Sequence, residues 1–102
     1  MGMLSKKEAT ATDASREARL AMGLWLKSLR EEQEMSQREL ATALNLDYYT
    51  FISQLENGRG RIPPARYRDW AEALKIETRS FVMTLLSYHE PLTYEILFGE
   101  TG

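Results

Sequence analysis

A chain of 102 residues, 43% hydrophobic and 27% charged, suits one small domain near the lower end of comfortable core size, and a second independent domain is not expected. It carries no cysteine and one histidine, so disulfides and thiolate chemistry are excluded, zinc would have to be held almost wholly by carboxylates, and no metal or cofactor is expected. The formal net charge of −2 is not that of a uniformly basic nucleic-acid binder, which makes the distribution of charge more informative than its sum.

No run approaches the ~18 apolar residues that span a bilayer, and the start MGMLSKKEATATDAS lacks the apolar core of a secretion signal. No membrane association is expected, and the cytoplasm is the default location. Residues 1–12 are polar, rich in Ala, Thr and Lys, and show no apolar period, so a disordered arm is expected there. Thr12 or Asp13 is a suitable N-cap for a long first helix in which Met22, Leu26 and Leu29 recur at i, i+4 and i+7, with Ala18 extending the stripe backward. Trp25 lies about 100° from Leu26 around the helix and either flanks the core or covers a partner surface. Glu31, Glu32 and Glu34 read as a solvated helix end rather than paired catalytic acids. Met35 precedes a cap and can act as a hydrophobic staple.

Ser36 followed by Glu39 is a capping box, which starts a second helix at Gln37 with Leu40, Ala41 and Leu44 on one narrow face. Asn45 tolerates a left-handed backbone and Asp47 can accept hydrogen bonds from a new first turn, so a stop is followed at once by a start. In the next helix Tyr48, Phe51, Ile52 and Leu55 recur at i, i+3, i+4 and i+7, and Tyr49, Thr50, Ser53 and Gln54 project from the opposite face. Those outward groups are polar but uncharged. A face that only needed solubility would more simply carry Lys and Glu, so this one is expected to read base edges, with Gln54 able to make a bidentate contact to adenine. Asn57 and Gly58 end the helix, and Arg59 and Arg61 follow on a flexible loop suited to phosphate oxygens. Gln37 and Arg38 join them as expected phosphate contacts.

Pro63 and Pro64 bar helix before them yet sit well in a first turn, and Tyr67, Trp70, Ala71 and Leu74 form the stripe of a fourth helix that closes the core. Arg66 and Arg68 leave that stripe, either toward phosphate or toward solvent alone. Thr78 can cap a fifth helix, whose Phe81, Val82, Leu85, Leu86 and Tyr88 occupy an arc too broad for one side of a small bundle. Glu90-Pro91 terminates it. Beyond lies a second apolar cluster, Leu92, Tyr94, Ile96, Leu97 and Phe98, expected to form a homodimer contact; the alternative is that this tail folds back on its own bundle. Charge is unevenly spread: Arg59 to Arg79 holds six basic residues (Arg59, Arg61, Arg66, Arg68, Lys75, Arg79) against Asp69, Glu72 and Glu77, whereas Glu31 to Glu39 is acidic. A polarised molecule, basic near the arginine loop, is expected.

The order Leu26, Leu29, Arg30, then Ser36-Gln37-x-x-Leu40-Ala41, then Leu55-Glu56-Asn57-Gly58, Pro63-Pro64 and Ala71-x-x-Leu74 resembles the helix-turn-helix domain of phage-repressor (Cro/XRE-like) transcriptional regulators. The resemblance covers roughly residues 20 to 86. It implies an all-α, compact bundle of about five helices, with Asp47 to Glu56 as the recognition helix for the major groove. It further implies an internal ion pair between Arg30 and Glu56. In two places the chain departs from the family: Asn45 stands where Gly is usual, and one extra residue lies between Leu40 and the Leu55-Glu56 pair. The expected organisation is an arm at 1–12, the helix-turn-helix domain at 13–89 and a C-terminal extension at 90–102 for dimerisation. The expected function is sequence-specific binding of double-stranded DNA, as a dimeric repressor. From another class, a protein-interaction module such as an antitoxin-like partner or co-regulator is the alternative. No small-molecule ligand is evident. Without a nucleophile elbow or a phosphate-cradling glycine loop, no catalytic residue is assigned and no enzyme is expected.

Overall fold

The computed structural model describes residues 2–99, with side chains from residue 14 onward. Its described residues form helices only: α1 (Gly2–Glu32), α2 (Gln37–Ala43), α3 (Thr50–Glu56), a 3-10 turn (Pro64–Arg66), α4 (Tyr67–Ala73), α5 (Thr78–His89) and α6 (Pro91–Phe98). α1 is the spine. It packs on α3 along one side and on α5 along the other, while α4 and α6 both lie against α5 and α2 lies against α3. None of the described helices is long and apolar enough to cross a membrane.

Helix ends explain the layout. Ser36 Oγ accepts from the Glu39 N–H at 3.0 Å and the Glu39 carboxylate accepts from the Ser36 N–H at 2.8 Å, the reciprocal box that starts α2. Four helices then stop in the same way, each with a left-handed residue just past its end: Glu34, Asn45, Gly58 and Lys75. After α2, the Asn45 N–H donates to Thr42 and the Leu46 N–H to Ala41, and the pattern repeats after α1, α3 and α4. The apolar residues that follow three of these stops, Met35, Leu46 and Ile76, pack against the core. Three of the stops therefore turn the chain and pin the turn to the interior, while the one after α3 leads into the exposed Arg59.

The core gathers the expected stripes: Met22 and Leu26, Leu40 and Leu44, Ile52 and Leu55, Trp70 and Leu74, Phe81 and Leu85, all essentially fully buried. Each large side chain contributes on the order of 1.5–3 kcal/mol before chain entropy opposes it. Ile62, between the arginine loop and the prolines, is also buried and anchors that loop. Trp25 is half-buried, with its ring 5.4 Å from Phe81 and 5.7 Å from Tyr88, so it joins α1 to α5 inside the chain. Gly23 faces α3 so closely that a Cβ there would stand 2.6 Å from the carbonyl oxygens of Leu55 and Glu56. A glycine in mid-helix costs about 1 kcal/mol in propensity, and here it lets two backbones touch.

Four expectations need correction. α1 has helical backbone from Gly2, so residues 2–12 continue the first helix in place of a disordered arm; Lys, Glu and Ala there are good helix formers, and the Thr12 or Asp13 cap is not used. α3 begins at Thr50, not after Asp47, because the extra residue of the bend is absorbed between Asn45 and Tyr49; Tyr49 is the N-cap and no side chain caps it. Tyr48 therefore leaves the inward stripe and is 77% exposed. The N-cap of α5 is Glu77 in place of Thr78, its carboxylate accepting from the Arg79 and Ser80 amides. Finally, Pro91 stops α5 and opens a sixth helix, as its missing N–H permits at a first helical position. The extension is thus folded against α5 through residue 98, and its last three residues lie outside those described.

Candidate nucleic-acid interface

What aims α3 is a buried ion pair. Arg30 Nε donates to Glu56 Oε2 at 2.7 Å and Arg30 Nη2 to Glu56 Oε1 at 3.1 Å, a two-pronged bond between the end of α1 and the end of α3. The third guanidinium nitrogen, Nη1, donates to the Met35 carbonyl at 2.7 Å. Hydrogen bonding to Glu56 outweighs burial and holds the guanidinium above its ordinary pKa. Gln37 Nε2 completes the arrangement by donating to Glu56 Oε1 at 2.9 Å. The start of α2, the end of α1 and the end of α3 thus meet at one carboxylate, which sets the angle between α2 and α3.

With α3 held so, its two faces separate cleanly. Ile52 and Leu55 are buried and Phe51 half-buried, while Thr50 and Gln54 are exposed and Ser53 half-buried. Among the described residues, none of the Thr50, Ser53 and Gln54 side chains makes a hydrogen bond within the chain. Their donors and acceptors face outward. Tyr49 is exposed at the head of this ridge, and the Arg38 guanidinium lies 5.2 Å from the centre of its ring. That contact crosses the bend between α2 and α3 and limits the freedom of a long cationic side chain. Tyr48 stands beside it, and Arg59 is exposed just past the glycine that ends α3.

Two expected phosphate contacts sit elsewhere. Gln37 spends its amide on Glu56 and is half-buried, so it acts as a strut of the bend. Arg61 points across the molecule to Glu90, 3.4 Å away at the joint between α5 and α6. Arg66 pairs with Asp69 at 2.8 Å and donates to the Leu44 carbonyl at the end of α2, which gives it a structural role. The cations left exposed beside the ridge are Arg38 and Arg59. Tyr48 is the surface residue that periodicity missed, since only the true start of α3 expels it from the interior.

A stop, a left-handed residue and a second short helix crossing the first, with the second helix presenting a polar ridge, constitute a helix-turn-helix. The family model described as helix-turn-helix, of Cro/XRE-like type, matches residues 26–81, more than half of the chain. The chain belongs to the Cro/XRE-like helix-turn-helix family. No curated protein matches it. As a member of a family of DNA-binding regulators, it is a DNA-binding helix-turn-helix regulator, with α2 and α3 as the two helices of the motif. The match begins at Leu26 and ends at Phe81, so α6, most of α1 and most of α5 lie outside it.

Proposed function

We propose that the protein binds specific sequences of double-stranded DNA with α3 in the major groove, and represses transcription as a homodimer. One observation carries the reading: α3 turns unbonded, uncharged polar groups outward, while Ile52, Leu55 and the paired Glu56 face inward, a division that solvation alone does not require. Thr50, Ser53 and Gln54 meet base edges, and Tyr49 meets them at the ridge's head while holding Arg38. Arg38 and Arg59 take phosphates and set register. The dimer is supported by α6, where Leu92 and Ile96 are each 74% exposed and lie one helical turn apart on the side opposite Tyr94 and Phe98. Those last two rings pack together at 5.2 Å. A two-fold pair would place its recognition helices about 34 Å apart, on successive major grooves.

The test starts by selecting bound sequences from a random duplex pool, where a palindromic winner reports specificity and symmetry together. Gln54→Ala should then weaken the selected site by about 1–3 kcal/mol while leaving random duplex nearly unchanged. Arg59→Ala should weaken both alike and flatten the logarithmic salt dependence by about 0.9 for each phosphate it no longer neutralises. Equal losses on both DNAs for Gln54→Ala would remove it from base reading. The same exposed α6 face favours a second reading, a protein-interaction module; a stable complex with another protein and no shift of random duplex at low salt would select it.

A further inference from the structure

The bend between α2 and α3 carries a side chain that neither the core nor the polar ridge uses. Tyr48 is 77% exposed and stands two residues before α3 begins. Among the described residues the other exposed aromatic rings are occupied: Tyr49 carries the Arg38 guanidinium, and Phe98 packs on Tyr94. Tyr48 has neither an aromatic nor a cationic partner there. It walls a shallow cavity of about 320 Å³ at the head of the ridge, together with Arg38, Thr42, Leu46, Asp47 and Tyr49. Arg38 and Asp47 oppose each other in charge, so the cavity itself is close to neutral and suits an uncharged apolar projection better than a phosphate.

We propose that Tyr48 is a specificity-determining residue whose ring packs on the 5-methyl group of a thymine in the bound site, with that methyl directed into the cavity. The inference rests on α3 entering the major groove. Recognition helices read base edges from their N-terminal residues, and Tyr48 lies just ahead of that end. Thymine's methyl is the apolar feature among the base edges of the major groove, and an aromatic ring is one of the groups that match it. Thr50, Ser53 and Gln54 address donors and acceptors, so a ring at their head adds the apolar part of the code and separates thymine from the other bases. The extra residue of the bend thereby acquires a use: it takes a tyrosine out of the inward stripe and makes it a reader.

The duplex selected from the random pool supplies the test. Each of its thymines is replaced in turn by deoxyuridine, which removes the methyl and keeps every hydrogen-bonding group. The native chain, Tyr48→Ala and Tyr48→Phe are then titrated against each duplex by gel shift at one salt concentration. One replacement should weaken the native chain and Tyr48→Phe about fourfold, as expected for one buried methyl, and leave Tyr48→Ala unchanged. Tyr48→Ala should weaken the unmodified site by at least about the same factor. Because the residue is exposed, both variants should fold as the native chain does. A replacement that costs the native chain and Tyr48→Ala alike gives the methyl to another side chain and overturns the proposal, as does a site in which no replacement matters. Equal losses for Tyr48→Phe and Tyr48→Ala on the unmodified site overturn it in favour of a hydroxyl contact. Those outcomes leave groove reading standing, whereas the absence of any sequence-selective shift removes groove reading and this assignment together.

Discussion

Glu56 shows how much one buried side chain can organise. Both it and Arg30 are only 8% exposed, so the pair gains little net stability over apolar residues of similar volume, yet losing either partner strands a charge. Glu56→Ala should therefore cost about 3–5 kcal/mol, and the double variant Arg30→Met, Glu56→Leu should lie nearer the native protein than either single change. Urea unfolding of the native protein, Glu56→Ala, the single variants Arg30→Met and Glu56→Leu, and the double variant checks the ordering. If the pair serves to aim α3, the double variant should recover stability without recovering specific DNA affinity. Gly23 makes the complementary case. Gly23→Ala improves helix propensity by about 1 kcal/mol but drives a Cβ into the Leu55 and Glu56 carbonyls, which are backbone and cannot swing aside. The expected outcome is a net loss of about 1–3 kcal/mol in the same assay.

Elements were legible in the sequence where their causes are local. The Ser36–Glu39 box, Asn45 and Gly58 announce themselves within a few residues, because capping and left-handed backbone are decided by a single turn of chain. Lys75 escaped notice because lysine seldom takes that conformation; Ile76 behind it supplies the reason, anchoring in the core the turn that Lys75 makes. What the sequence hid depends on distant partners. Gln37 and Arg61 have the right chemistry for phosphate, but their partners lie 19 and 29 residues away and claim them first. Gly23 has meaning only once α3 lies across it. The extra residue before Leu55 left open whether α3 would lengthen or the bend would widen; the bend widened and exposed Tyr48. α6 combines both kinds of information, its start set by Pro91 and its outward Leu92 and Ile96 covered by nothing among the described residues. Leu92→Asp with Ile96→Asp should convert a dimer to a monomer in sedimentation equilibrium, with stability changed by no more than about 0.5 kcal/mol per site because neither residue is buried. A large loss of stability in a chain that was monomeric from the start would show that α6 serves its own bundle.

Across the whole molecule, pairing redistributes the expected basic surplus. Arg61 and Arg66 are engaged with Glu90 and Asp69, which leaves Arg38 and Arg59 beside the polar ridge and gives DNA binding few phosphate contacts per protomer. Acidity acts through different groups. The Glu39 carboxyl is held below its ordinary value by the backbone and hydroxyl of Ser36, and Glu77 by the hydroxyl and amide of Ser80, so the unfolded chain takes up protons more readily than the fold as pH drops. Their contribution is complete above the ordinary carboxylate value of 4.5 and is lost as pH falls through it and below. His89 is depressed as well, chiefly by burial, so the same sign applies in a higher window: its share is complete above 6.5 and is lost as pH falls below that value. Unfolding free energy should accordingly be flat above about pH 7, step down slightly below 6.5 and fall again below 4.5. His89→Gln should abolish the upper step and spare the lower, whereas Ser36→Ala should remove about 1 kcal/mol at neutral pH and shrink the lower step. Urea titrations at about pH 8, 5.5 and 3.5 separate the two windows, and an upper step that survives His89→Gln would assign it to another group.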